Sequence, residues 1–176
     1  MRFGAFTTAT AIFALGLFLQ PAHAEDKSVY KAGATSKFIN FPGLPACMTG
    51  AVQNGDPSSG GSVILVKATT GCTVPWHWHT PTEQLLIVSG RAKAEMKGSG
   101  TAMAKAGDYL SMQAKNPHQF TCLAACTFFV VSDAAFDIHY VDANGNEIPP
   151  DQALKKAAKA PAKKSDSKDD MKGMKM

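Results

Sequence analysis

Through the middle of the chain, apolar and polar positions alternate with the two-residue period of a strand rather than the period of a helix. Ser62-Val-Ile-Leu-Val-Lys-Ala68 is a β-branched run and Gln84-Leu-Leu-Ile-Val-Ser89 is a second. Arg91-Ala-Lys-Ala-Glu-Met-Lys97 then alternates charged and apolar side chains as a half-buried strand does. Residues 109–112, 118–122, 126–132 and 136–141 continue the series, with turn residues between them at Gly98–Gly100, Gly107-Asp108, Asn116-Pro117 and Asn144-Gly145. Short strands at this spacing predict an all-β domain, a sandwich or a barrel, over residues 62–145. Residues 25–61 contain breakers, including Pro42, Pro45 and the glycines from Gly55 to Gly61, and read as an N-terminal arm with one or two edge strands. No segment between residues 25 and 150 has a helical period. After Pro149-Pro150 an Ala/Leu/Lys stretch predicts one or two helical turns. Residues 146–176 as a whole read as a low-complexity Lys/Met-rich tail, disordered from Pro161 on because nothing there has a core to bury into.

The first 24 residues have a different pattern: Arg2, a nine-residue apolar run from Ala11 to Leu19, a break at Gln20-Pro21, and small residues at Ala22 and Ala24. This order predicts a secretory signal peptide cleaved after Ala24, and a periplasmic or secreted protein. The run is far shorter than the ~20 residues of a membrane span, so no transmembrane segment is expected. The leader changes how charge is read. The chain of 176 residues has 18 Lys and Arg against 14 Asp and Glu, a formal +4. Residues 155–176 alone hold eight Lys and three Asp, whereas residues 25–154 hold nine basic and eleven acidic groups. The basic character belongs to the tail, which suits loose contact with an anionic envelope surface. There is no basic-aromatic surface suited to nucleic acid.

Export also bears on the cysteines, all four of which (Cys47, Cys72, Cys122, Cys126) follow the leader. An even number in an oxidising compartment predicts disulfides. Cys122 and Cys126 flank Leu-Ala-Ala between two apolar segments, and a hairpin there would face the sulfurs across neighbouring strands. That favours Cys122–Cys126, with Cys47–Cys72 by elimination; buried reduced thiols are the alternative.

Of five histidines, His23 leaves with the leader, and three of the other four fall in two ordered groups. In Gly71-x5-His77-x-His79-x3-Glu83-x6-Gly90, residues two apart on a strand put both imidazoles on one face, and Glu83 opens the next strand after the Thr80-Pro81-Thr82 turn. In the second group, Gly107-Asp108 turns the chain and His118 follows eleven residues after Gly107. Three imidazoles and a carboxylate make a mixed N/O site for a divalent transition metal, with Fe, Mn, Ni, Cu and Zn all admissible. His139 reads as a surface or packing histidine, Trp76 and Trp78 as wall packing, and Gln113 and Gln119 as candidates to support the ligands from behind.

These two motifs resemble the two signature motifs of the cupin superfamily, over roughly residues 62–141. The first matches at every signature position. In the second, Gly107 and His118 match, but Gln113 and Lys115 stand where Pro and Gly are usual, and Cys122 where Asn is usual. The resemblance implies a double-stranded β-helix, the jelly-roll barrel of small single-domain secreted cupins, with a metal inside held by His77, His79, Glu83 and His118.

Two functional classes follow. One is a metal-dependent oxygenase or related oxidoreductase acting on a small oxygenated organic molecule, with Glu83 either a fourth ligand or the catalytic base. The other is a non-catalytic periplasmic module binding a metal or small ligand. Arg91 is the only arginine after the leader, and alternation places it outward, which argues against dianionic substrates. Clustered Met and Asp in the tail (Asp169, Asp170, Met171, Met174, Met176) read as a solvated tail rather than a copper site.

Overall fold

A computed structural model describes residues 28–159, and the expected leader and cleavage point and the Lys/Met-rich tail from residue 160 lie outside these described residues. Ten strands follow a single turn of 3-10 helix at Gly33–Thr35. They are β1 (Met48–Gly55), β2 (Ser62–Ala68), β3 (Thr73–Trp78), β4 (Glu83–Ser89), β5 (Arg91–Met96), β6 (Gly100–Lys105), β7 (Tyr109–Met112), β8 (His118–Cys122), β9 (Cys126–Ser132) and β10 (His139–Tyr140); helix α1 (Pro150–Lys159) closes the series. They form two five-stranded antiparallel sheets, ordered β1-β2-β9-β4-β7 and β10-β3-β8-β5-β6. Apart from the β1–β2 and β5–β6 pairs, which stay within one sheet, successive strands change sheet, as in a double-stranded β-helix. The β-branched runs lie at the centre of the first sheet, where β2 and β4 both pair with β9 and each buries one face.

The interior mixes small and large side chains. One region is filled by the small side chains of Ala92, Ala94, Ala104 and Cys122, and the bulkier Leu85, Phe120, Phe128 and Val130 lie in the same core cluster. Gly90 makes the crossing from β4 to β5 at φ +87°, and a Cβ there would meet the Ala125 carbonyl oxygen at 2.1 Å, so only glycine fits.

Two elements, β6 and α1, differ from the sequence pattern, while β1 is one of the edge strands expected of the 25–61 segment. β6 escaped it because Thr101-Ala-Met-Ala-Lys105 is weakly apolar and only Ala104 is buried. The 25–61 segment contributes β1 as a full eight-residue edge strand. Helix α1 runs ten residues instead of a turn or two: Pro150 starts it with no donor to lose, Asp151 sits in its first turn, and Ala153 is buried against the core.

Of the two expected cysteine pairs, Cys47–Cys72 is present and Cys122–Cys126 is corrected. Cys47 and Cys72 are bonded, with Cα atoms 5.7 Å apart, while Cys122 and Cys126 are buried free thiols. The residues between them do not form a hairpin. β8 lies in one sheet and β9 in the other, so Cys122 stands opposite Ala92 and Cys126 opposite Ala68. The link is tied instead to β5, with Leu123 N–H donating to Arg91 O at 2.8 Å and Cys126 Sγ reaching the same oxygen at 3.3 Å. Burial raises the pKa of both thiols, so they stay protonated and unreactive at neutral pH.

Candidate metal centre

His77 faces the interior because β3 is irregular. Cys72 and Val74 are buried, so strict alternation would turn Trp76 and Trp78 inward and both histidines out. The pairing of β3 with β8 shifts register between Val74 and His77, and this bulge, at Pro75, reverses the parity. His77 and His79 then point inward, and Trp78 stacks outside on His139, 3.9 Å between ring centres and 4° between planes. Glu83 opens β4 in the first sheet, and His118, opposite His77, opens β8 in the second.

The four side chains are buried, and one ligand atom from each lies within 4.8 Å of all the others. Each imidazole is oriented from behind through Nδ1, which donates to a main-chain carbonyl: His77 to Pro75 O at 2.6 Å, His118 to Asn116 O at 2.9 Å, and His79 to Asp137 O. With Nδ1 carrying the proton, Nε2 presents a lone pair inward. Glu83 Oε2 lies 3.3 Å from His118 Nε2 and 3.6 Å from His79 Nε2, outside hydrogen-bond geometry, so both nitrogens are buried without a partner. Buried polar atoms are rarely left so, and a cation between them would satisfy both nitrogens and the carboxylate. The donor set therefore fits a divalent transition metal.

Electrostatics prepare the same state. Burial drives His77 well below the ordinary 6.5, and the neighbouring His118 and His79 rings act in the same direction. Burial also lowers His79, against the pull of Glu83 and the Asp137 carbonyl. Burial raises Glu83, but His79 and His118 outweigh it and the carboxyl falls below its ordinary 4.5. At neutral pH, His77 and His79 are neutral and Glu83 is ionised, the form in which such groups bind metal.

A cavity of about 390 Å³ opens onto His77, His79 and Glu83. Part of its wall comes from segments that carried no functional signal in the sequence: Phe41, Leu44 and Met48 from the arm and the start of β1, and Phe136–Ile138 before β10. Asp137 also holds the turn between the first-motif ligands, its carboxylate accepting from Thr80 N–H at 2.7 Å while also lying 3.3 Å from His139 Nε2. Burial pushes the Asp137 pKa up, but the Thr80 and His139 contacts prevail and keep it low. The expected supporting glutamines do not reach the ligands. Gln113 bonds Ser111 and Gln119 bonds Glu95. His139 lies outside the centre, between Asp137 and Glu147.

Fold and site together define a double-stranded β-helix barrel with a buried His/His/Glu/His group suited to a divalent metal. Residues 64–132 match the family model described as a cupin domain, and this part of the chain is a cupin domain. Several solved structures share the fold. The polyketide cyclase RemF from Streptomyces resistomycificus superposes with a TM-score of 0.62 at 13% identity, over 77% of this chain and 95% of that one. A putative acetylacetone dioxygenase from Methylibium petroleiphilum PM1 gives 0.57 at 17% identity, over 72% and 90%. A cupin-2 domain protein from Rhodospirillum rubrum gives 0.53 at 17% identity, over 68% and 83%. No curated protein sequence matches the chain.

Proposed function

We propose that this chain is an exported cupin that binds one divalent transition metal and acts as a metal-dependent oxygenase or related oxidoreductase on a small oxygenated organic molecule. The observation that carries the reading is the convergence of partnerless Nε2 atoms and one carboxylate, each imidazole fixed from behind by a main-chain carbonyl. A metal bound there supplies Lewis acidity and, when redox-active, electron transfer. His77, His79 and His118 hold it. Glu83 completes the set or serves as the base, its carboxylate oxygens being the sole acidic donor in the group. The strand ladders keep these side chains on rigid elements, and the apolar wall excludes water from whatever binds beside them. Fold-sharing enzymes such as the cyclase and the putative dioxygenase are consistent with catalysis in this architecture. The leader and the Cys47–Cys72 bond support export.

The test is metal analysis of the full chain, expressed with its own leader and recovered from the periplasm, followed by an O2-uptake screen on the same preparation. One metal per chain, an N-terminus at Glu25 and substrate-dependent O2 uptake are expected. Zinc alone, with no uptake across small ketones, phenols and diketones, would leave the non-catalytic binding module as the reading.

A further inference from the structure

The cavity beside the metal-binding group is apolar well beyond what the ligands require. Phe41 and Leu44 reach it from the arm, and Phe120, Phe128 and Phe136 from the barrel and its closing segment. Among the described residues no Lys or Arg lines it, and its only carboxylates are Glu83 and Asp137. Asp137 stands at the solvent edge, its side chain 41% exposed.

The arm is a fixed wall of this chamber, held at three places. Ile39 and Gly50 exchange two main-chain hydrogen bonds of 2.9 Å each. The hydroxyl of the buried Tyr140, which pairs with His77, donates to Gly43 O at 2.8 Å. Cys47 is bonded to Cys72, just ahead of the strand that carries His77. Gly50 lets the Phe41 ring settle against β1, since a Cβ there would stand 2.7 Å from its Cε2.

We infer that this chamber selects a neutral, predominantly apolar ligand, such as an aryl or alkyl ketone or a phenol, over carboxylates of equal size, with the arm and Asp137 as specificity determinants. This rests on the metal-binding reading of the same site. A cavity of about 390 Å³ lies at the small end of the ~300–1,000 Å³ range of small-molecule sites. A ketone or phenol oxygen can point at the metal while its ring covers the phenylalanines, whereas an anion finds Glu83, which already offsets part of the metal's charge, and Asp137 as the charged side chains of the lining, with no Lys or Arg beside them.

The test is calorimetric titration of the metal-loaded full chain with acetophenone and with benzoate, which have equal numbers of heavy atoms. Acetophenone is expected to bind at least ~10-fold more tightly, a difference of about 1.4 kcal/mol. Phe41→Leu should weaken acetophenone several-fold at unchanged metal content, and Gly50→Ala should act in the same direction by driving the Phe41 ring into the cavity. Asp137→Asn, which keeps the acceptor for Thr80 N–H, should narrow the preference by strengthening benzoate. Benzoate binding as well as acetophenone, or neither binding to a protein that holds its metal, overturns the inference and leaves the metal reading intact. A protein that takes up no metal overturns both.

Discussion

At one end of the chamber, three imidazoles and a carboxylate are held by strand ladders and by main-chain carbonyls behind each ring. At its outer wall, Phe41 and Leu44 lie on a segment with a single β-bridge, one tyrosine contact and one disulfide. The polar end depends on hydrogen bonds whose geometry is set by backbone and whose residues are spaced for it. The apolar wall depends on chain crossings that join residues far apart in sequence, Gly43 to Tyr140 and Cys47 to Cys72. On the proposed function, metal binding and ligand selectivity would therefore come from different parts of the chain. They should also be separable by mutation.

The largest effect belongs to the polar end. His77→Ala combined with His118→Ala should abolish metal retention, because only one imidazole and a carboxylate remain. Metal analysis after dialysis checks this, with circular dichroism to establish that the barrel persists. Full retention in the double mutant would show that the metal is held elsewhere.

Next is the arm. Cys47→Ser with Cys72→Ser opens a link of 25 residues in sequence separation, and loop entropy alone predicts a loss of about 3.5 kcal/mol. A thermal or urea melt reads that loss. Metal content should be unchanged, since neither cysteine touches the ligands, while the preference for acetophenone over benzoate should shrink. Equal damage to metal binding would mean that arm and ligands form one unit and that the comparison is wrong.

The protons at the polar end give a third, smaller effect. His77 and His79 are lowered from 6.5 in the folded chain, so below that pH the unfolded chain binds more protons than the folded one. Stability of the metal-free protein should then fall as pH drops from about 6.5, by up to roughly 1.4 kcal/mol per pH unit for each such histidine. Glu83, lowered from 4.5, adds a loss in the same direction only at more acid pH. Melting temperature against pH in the chelator-treated protein checks this, and a flat profile from pH 7 to 5 would contradict burial of neutral imidazoles.

The same division governs what could be read from the sequence. The convergence of His77, His79, Glu83 and His118 was legible because cross-strand chemistry is encoded in short spacings, as from His77 to Glu83, and most barrel strands were legible from β-branched runs. The bulge at Pro75 was not, although a proline inside a strand was its one available signal. The arm's part in the cavity was invisible, because Phe41 and Leu44 sit among breakers and acquire their role only through contacts nearly a hundred residues away. The Cys122–Cys126 hairpin failed for a related reason: a three-residue link cannot show whether it joins neighbours in one sheet or crosses between two.

The smallest effect tests the second motif, where this chain departs from the usual cupin pattern. Lys115 occupies the position where glycine is usual, and it is the only non-glycine residue at positive φ, +59°, among the described residues. It is the third residue of a turn closed by Asn116 N–H to Gln113 O at 3.1 Å, and its own N–H donates to His79 O at 2.8 Å. A left-handed conformation costs a residue with a Cβ about 1–2 kcal/mol, while glycine gives back roughly 0.5–1 kcal/mol in unfolded-state entropy. Lys115→Gly should therefore stabilise the protein by about 0.5–1 kcal/mol, and Lys115→Val should destabilise it by more, because β-branching disfavours that region further. Metal affinity should not move in Lys115→Gly, since the bond to His79 comes from the main chain. Urea midpoints of the two variants read the effect, and a loss of stability in Lys115→Gly would show that the lysine side chain, not the turn it strains, holds this end of the site in place.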